Sequence, residues 1–513
     1  MFQIQQVLTL AGIIVLAYIG HVYLDNRQRN PAGLPYPPGP PGYPIIGNLF
    51  DIPKVFIYKR FREMSRELDS DIIHLQVFGF HLIVCNSKEV ADDLFEKKSS
   101  IYSDRPRMPM LCELMGFGWS LGFTPYNEWW RHSRALFHKH FKPTAVAQFR
   151  PKKLKAAHEF LHRLLDDPKH FHEHMQLMAG GVILDVGYGL DIQSADDPYI
   201  RRAAETLAII DKAGNPGAFL VDILPVLKYV PEWVPGAGFK RKAREWSIVA
   251  DEFGTIPFDF VKNGMTDGTA KPSFVSIALR DITEKDDRQY QEALIKALAG
   301  TMYTAGADTT VSLILTFFLA MLKFPDAQAK AQEELDRVVG TDRLPTFDDE
   351  EKLPYIGALV KEVFRWQQVA PFAIPHRVSA DDVYRGYFIP RNSIVLGNAW
   401  ALLHDEALFP DPFSFKPERF GPDADPAVTE AVDYAFGFGR RVCPGRWMAQ
   451  SFTWITISSV LAAFTLEKAR DQSGEFIEPT AAYSPGILAA PEKFDCVVKP
   501  RSHEAELLVR SAS

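Results

Sequence analysis

Apolar residues recur three or four positions apart along most of the chain. That spacing predicts amphipathic helices at 55–68, 87–95, 127–140, 145–166, 172–190, 199–213, 238–263, 287–322, 326–339, 354–367 and 444–464. Alternation of period two replaces it at Ile72 to Phe78 and His81 to Val84, predicting a small sheet, with further strands near 376–396 and 474–499. Proline-rich joints separate several helices, and no stretch between 45 and 500 is long and polar enough to require a domain boundary. The expected class is mainly α with small β-sheets, in one large body at 45–513.

The amino terminus follows a different pattern. Ile4 to Leu24 contains no Asp, Glu, Lys or Arg and is long enough, at about 1.5 Å per residue, to span a bilayer as a helix. Residues 1–30 are expected to be a single-pass anchor, because the run is long, no basic residue precedes it and no small-residue cleavage site follows. Arg27 and Arg29 lie only on its carboxy-terminal side, which places the body in the cytosol. Residues 31–44 are rich in proline, which fixes φ and removes donors, so they are expected to form a stiff hinge. A second apolar run, Ala297 to Leu322, carries a lone Asp308 beside Thr309 and Thr310. It reads as a buried core helix, since an isolated carboxylate is costly in lipid.

Composition narrows the function. The 513 residues are 47 % hydrophobic, so they can fill a large core, and the net charge of −7 gives no basic field for nucleic acid. The four cysteines are scattered without C-x-x-C spacing, which disfavours a disulfide scaffold or a four-cysteine zinc site. No asparagine begins an N-x-[ST] sequon, in keeping with a reducing, cytosolic setting.

Two segments carry candidate chemistry. His158-Glu-Phe-Leu-His162 is a literal H-E-x-x-H, which on a helix can bind zinc beside a glutamate base. Both histidines fall at the polar edge of the stripe Leu154, Ala157, Phe160, Leu161, Leu164 and Leu165, where a solvated face is the better expectation. The sharper segment is Phe436-Gly-Phe-Gly-Arg-Arg-Val-Cys-Pro-Gly445. Its glycines let a loop turn tightly against a flat ligand, the following helix supplies N–H groups, and Arg440 and Arg441 add positive charge, so Cys443 reads as an anionic ligand.

That loop resembles the cysteine-ligand loop of the cytochrome P-450 superfamily of haem-thiolate monooxygenases. Other segments match the superfamily in order: Trp130 and Arg134 as W-x-x-x-R, Ala305 to Thr310 as the oxygen-activation segment, Glu362 to Arg365 as E-x-x-R, Pro375-His376-Arg377, and Pro417 to Phe420. The resemblance covers nearly the whole chain and is strongest to membrane-anchored fungal members of specialised metabolism. It implies a single haem domain behind a transmembrane helix and a haem b ligated axially by Cys443. Trp130, Arg134, His376, Phe436 and Arg441 would hold the cofactor, Asp308 and Thr309 would serve catalysis, and Glu362, Arg365 and Arg419 would form a structural triad.

The resemblance further implies electrons from NADPH through a flavoprotein reductase, with cytochrome b5 as a second donor, and an endoplasmic-reticulum membrane location facing the cytosol. The implied substrate is a hydrophobic small molecule, such as a terpenoid or polyketide intermediate, in a pocket lined in part by Phe117, Phe123, Phe372, Ile374 and Ile487. A haem-thiolate isomerase or dehydratase is the alternative, and the intact Asp308-Thr309 pair argues against it. Leu224 to Pro235, apolar and broken by proline, is a candidate membrane-contacting loop.

Overall fold

The computed structural model describes residues 27–53, 55–214 and 217–512; the expected membrane anchor falls almost wholly outside them. The described residues are mainly helical with three small sheets, and they gather into two compact units. Unit one holds residues up to Pro106 with Phe372–Ala401 and Phe438–Arg440; unit two holds Arg107–Pro371, Leu402–Gly437 and Arg441–Ser513.

Unit one is built on helix α1 (Ile57–Glu67) and a four-stranded sheet of order β1-β2-β6-β3. Strands β1 (Ile72–Val77) and β2 (Phe80–Cys85) pair antiparallel through Phe78-Gly79, both at positive φ. Positive φ at both loop positions matches the right-handed strand twist of a two-residue hairpin. Strand β6 (Ile394–Gly397) runs parallel to β2 and antiparallel to the two-residue β3 (His376–Arg377), while β4 (Asp382–Tyr384) and β5 (Tyr387–Ile389) form a separate hairpin. Phe61 and Met64 of α1 bury their side chains against Ile73, Leu75, Val84 and Leu396.

The proline-rich segment is a strap rather than a free spacer. The Pro38 carbonyl accepts from His74 N and the Pro35 carbonyl from Phe388 N, both between 2.8 and 2.9 Å. The Tyr36 ring stacks on His74 with centroids 4.7 Å apart, and Arg29 is ion-paired with Asp381.

Unit two contains the long helices α2 (Glu128–Phe141), α3 (Arg150–Asp166), α4 (Phe171–Tyr188), α5 (Pro198–Gly214), α6 (Gly238–Asp267), α7 (Arg288–Lys323), α8 (Pro325–Val338), α9 (Pro354–Trp366), α10 (Arg446–Ala463) and α11 (His503–Ser511). Their starts follow from local chemistry. Asn127 caps α2 by accepting from Trp130 N, Asp287 caps α7 by accepting from Tyr290 N, and α8 and α9 open on prolines whose missing N–H costs nothing there. Helix α7 is long and apolar enough to cross a membrane, yet 67 % of its most apolar window is buried in the protein. That fits the core-helix reading.

Most predicted helices stand within a few residues of expectation. The differences are in the carboxy-terminal sheet and in helices outside the predicted set. The sheet there pairs β7 (Phe464–Lys468) with β8 (Cys496–Pro500) only, so most of 474–495 is irregular, and α11 and a short helix at Phe274–Arg280 were not expected. Both helices depend on long-range packing: Val509 of α11 and Phe274 are fully buried in the main core.

Helix α3 also holds a lysine where its stripe should be apolar. Lys153 is fully buried, its Nζ donating to Ser451 Oγ at 2.6 Å and lying 5.0 Å from the Phe347 ring centroid. Burial pushes its ammonium down to about 8. Below pH 8 both folded and unfolded chains are protonated and the fold carries the full desolvation cost. Between about 8 and 10.5 the unfolded chain binds more protons, so stability rises with pH. Relative to Lys153→Met, the wild type should gain roughly 3 kcal/mol across that window at 1.4 kcal/mol per pH unit, read from paired unfolding curves. A wild-type minus variant difference that stays flat would show that Lys153 is not desolvated.

Candidate active site

The loop before α10 is shaped by glycines. Gly437 has φ 91° and ψ −162°, a conformation open essentially only to glycine, and the turn is closed by Cys443 N donating to the Phe436 carbonyl at 2.7 Å. The Phe436 ring packs on Phe364 of α9, 4.9 Å between centroids. Gly445 is the N-cap of α10, and its N–H donates to Cys443 Sγ. Cys443 is surrounded by protein but keeps part of its surface open. Burial pushes its thiol up, and the Gly445 N–H, Arg134 and Arg446 pull it down.

Helix α2 presents Trp130 and Arg134, one turn apart, on one face. Trp130 is buried with the Arg441 guanidinium 4.4 Å from its ring centroid, and Tyr126 adds a second ring 5.0 Å from Trp130. Arg134 is half-buried and its guanidinium is pushed down to about 10 by burial. Among the described residues no carboxylate pairs with it; the acidic group it feels is Cys443. The fold thus holds a partly desolvated cation beside a sulfur.

The middle of α7 is less buried than the stretches on either side. Residues Leu294–Tyr303 are mostly buried, as are Ser312–Leu322, whereas Ala305 and Asp308 between them are exposed and Thr309 is half-buried. Thr309 Oγ1 donates to the Ala305 carbonyl and Thr310 Oγ1 to the Gly306 carbonyl, each at 2.6 Å. Asp308 has no ion-pair partner among the described residues; although part of its surface is open, the protein packed around it desolvates the carboxyl and, with repulsion from Asp211 of α5, pushes it up. Of the expected pocket residues, Phe117 and Phe123 pack in a cluster with Met110 and Met115, and Ile487 lies 3.7 Å from where a side chain at Gly214 would begin.

Glu362, Arg365 and Arg419 meet as expected. Arg365, fully buried, donates to both Glu362 oxygens at 2.6 and 2.9 Å and to the Leu403 and Pro412 carbonyls, while Lys416 N and Arg419 approach the same carboxylate. In unit one, His376 is buried; its Nδ1 donates to the Tyr102 carbonyl at 2.7 Å and its ring packs edge-on to Phe95. Phe438 stacks on Phe95, and a side chain at Gly439 would begin 2.1 Å from the Phe95 carbonyl oxygen, so only glycine fits.

The zinc alternative finds no site. His162 Nε2 donates to the Ala512 carbonyl at 2.8 Å, and no group of three His, Cys, Asp or Glu side chains able to hold a metal occurs among the described residues.

A mainly helical fold carrying a glycine-framed cysteine before a core helix, and a second helix opened at an acid-threonine pair, defines a haem-thiolate class of enzyme. The family model for Cytochrome P450 matches residues 37–497, and the chain belongs to that family. It is 45 % identical to Cytochrome P450 monooxygenase 98 of Postia placenta, covering 94 % of each chain. It is 40 % identical to Cytochrome P450 monooxygenase COX2 of Coprinopsis cinerea, covering 98 % of this chain and 95 % of that one. It is also 40 % identical to Tryptamine 4-monooxygenase of Psilocybe cyanescens, covering 96 % and 98 %. The protein is a fungal-type monooxygenase of this family, an oxidoreductase with a haem-thiolate iron cofactor and NADPH-derived electrons.

Proposed function

We propose that Cys443 would hold the haem iron as a thiolate, that Trp130, Arg134, His376 and Arg441 would receive the haem propionates, and that Phe436 would pack beside the cofactor. The observation that carries this reading is the pairing of Cys443 with a Gly445 N–H and with Arg134, a cation that lacks a carboxylate among the described residues. A bound propionate supplies that anion. His376 is fixed for that role by its Nδ1, which donates to the Tyr102 carbonyl. When bound, the haem supplies reductive activation of O₂, which a thiolate ligand promotes by electron donation.

The chain's own part is to hold substrate and deliver protons without admitting bulk water. Asp308 is exposed in a gap of a buried helix and its carboxyl is raised, so it is suited to take up and pass on a proton. The Thr309 hydroxyl, which bonds back to Ala305 here, reaches the same gap by rotation about χ1. Thr309→Ala should leave NADPH consumption nearly intact while product per NADPH falls severalfold and hydrogen peroxide rises. Unchanged coupling would remove Thr309 from proton delivery.

The electron donor is an NADPH-dependent flavoprotein reductase, with cytochrome b5 as an accessory, drawn to the exposed Arg131, His138 and Lys142 of α2 and its carboxy-terminal end. Residues 1–30 anchor the protein in the endoplasmic-reticulum membrane, 31–44 strap it and 45–513 form the cytosolic catalytic body. Leu224, Val226, Tyr229 and Trp233 give a second lipid contact; the last two are 74 % and 82 % exposed, as apolar surface meant for lipid should be. The substrate is a lipophilic small molecule of specialised metabolism. Terpenoid and polyketide intermediates fit, and so does an aromatic ring bearing nitrogen, as in the tryptamine for which one relative is named.

The test is to incubate microsomes carrying this protein and a reductase with lipophilic candidates under ¹⁸O₂ and to follow mass. Gain of one labelled oxygen that requires NADPH supports the monooxygenase reading. Product formed without NADPH or O₂ would establish the isomerase or dehydratase alternative.

A further inference from the structure

The chain between α5 and α6 carries two sets of apolar residues. Phe219, Val221 and Leu227 turn inward: Val221 is buried in a cluster with Met110 and Met115, Leu227 packs on that cluster, and Phe219 meets Trp246 of α6 edge-on with ring centroids 6.0 Å apart. This inner set satisfies the packing of the loop. The outer set is left over. Leu220, Leu224 and Val226 are 66 %, 52 % and 68 % exposed and join Tyr229 and Trp233 on the surface. Pro225, Pro231 and Pro235 fix φ at three points, which limits how far the exposed residues can turn inward.

Charge is arranged around this apolar tip. The first two turns of α6 are tethered to it: Lys240 Nζ donates to the Val230 carbonyl at 3.0 Å, and Arg244 holds the Glu232 carboxylate at 3.0 and 3.1 Å. Between the two tethers stand Arg241 and Lys242, both exposed and without an acidic partner among the described residues. At 100° per residue Arg241 lies about 160° from the buried Ala243, on the outer face of the helix. Other charges of the segment are committed: Lys228 Nζ donates to Glu113 at 2.7 Å, and Asp222 accepts from Met110 N at 2.9 Å. Glu245, exposed one turn after Arg241, offsets the pair only in part. In a chain of net charge −7, a basic tip is a local exception.

Exposed apolar side chains rimmed by cations complement a surface that is apolar beneath and anionic at its edge. Tyr and Trp settle at the boundary between acyl chains and headgroups, and a Lys or Arg beside that boundary is drawn to acidic headgroups. We propose that this face docks on an anionic phospholipid surface, with Tyr229 and Trp233 at the acyl boundary and Arg241 and Lys242 recruiting the acidic headgroups. The proposal rests on the reading of this loop as a lipid contact and adds which lipid it selects.

The full-length holoenzyme is to be reconstituted in vesicles of phosphatidylcholine and phosphatidylserine at about 7:3, with bromine on the acyl chains of one lipid or of the other. Tryptophan quenching minus that of the matching Trp233→Phe protein isolates Trp233. Per molecule of lipid, brominated phosphatidylserine should quench Trp233 at least about threefold more than brominated phosphatidylcholine, because each cation near the surface favours acidic lipid. The ratio should fall close to one in the double variant Arg241→Gln, Lys242→Gln, and also in wild type at about 0.5 M salt, where the attraction is screened. The reduced carbon monoxide spectrum of each sample confirms that folded, haem-loaded proteins are compared. A wild-type ratio of one or less overturns the headgroup selectivity and leaves the lipid contact standing. A ratio that survives both the double variant and salt overturns the role of Arg241 and Lys242. Trp233 unquenched by either lipid overturns the lipid contact and this proposal with it.

Discussion

Cys443→Ser abolishes the thiolate-type reduced carbon monoxide spectrum and lowers product formation by at least roughly 10³-fold, about 4 kcal/mol in transition-state terms. The loss is electronic. Serine is nearly isosteric, so the turn closed by Cys443 N and the Phe436 carbonyl, and the glycine backbone around it, should persist. What goes is a group that can be anionic at neutral pH. The Gly445 N–H, Arg134 and Arg446 lower the thiol against the pull of burial, and none of them lowers an alcohol far enough to ionise. The spectrum and product yield are to be measured on matched amounts of folded protein, with circular dichroism to confirm the fold. A variant that keeps both signals would sink the assignment of Cys443.

The second large effect is on stability. Glu362→Ala leaves Arg365, at 0 % exposure, with three carbonyl partners, those of Leu403, Pro412 and Ser414, and no anion, while Arg419 stands close by. Breaking one member of such a buried network costs about 3–5 kcal/mol, a large part of the roughly 5–15 kcal/mol that holds a typical domain together. Burial pushes the Glu362 carboxyl up and its contacts with Arg365, Lys416 and Arg419 pull it down, so the network works only as a set. The expected outcome is a lower unfolding midpoint and poor haem retention. Product regiochemistry should be unchanged in whatever enzyme remains folded. Adding Arg365→Met to Glu362→Ala should cost much less than the sum of the single changes, because the unpaired charge is gone. Full additivity, or an altered product pattern, would contradict a structural role.

Legibility differed from element to element for identifiable reasons. Helices such as α2, α4, α7 and α9 carry apolar stripes or runs long enough to override local preference, and their limits fall where Asn127, Asp287 or Pro354 act. Strand β7 follows α10 with no break between them, so its five residues merge into the helix pattern; pairing with Cys496–Pro500, about 30 residues later, makes it a strand. Lys153 sits among residues read as apolar, and only Ser451 and Phe347, far away in sequence, explain how a lysine is housed there.

The chemistry divides along the same line. The sequence alone determined the family, the glycine-framed Cys443, the acid-threonine pair and the E-x-x-R set, because these are short motifs whose spacing is itself the constraint. Tertiary structure decided that Arg134 finds no carboxylate among the described residues, that Thr309 bonds back to Ala305, and that the proline-rich hinge is strapped to unit one. A side chain's neighbours depend on which helix face is covered and by what. That is a property of packing between distant segments, which no local pattern encodes.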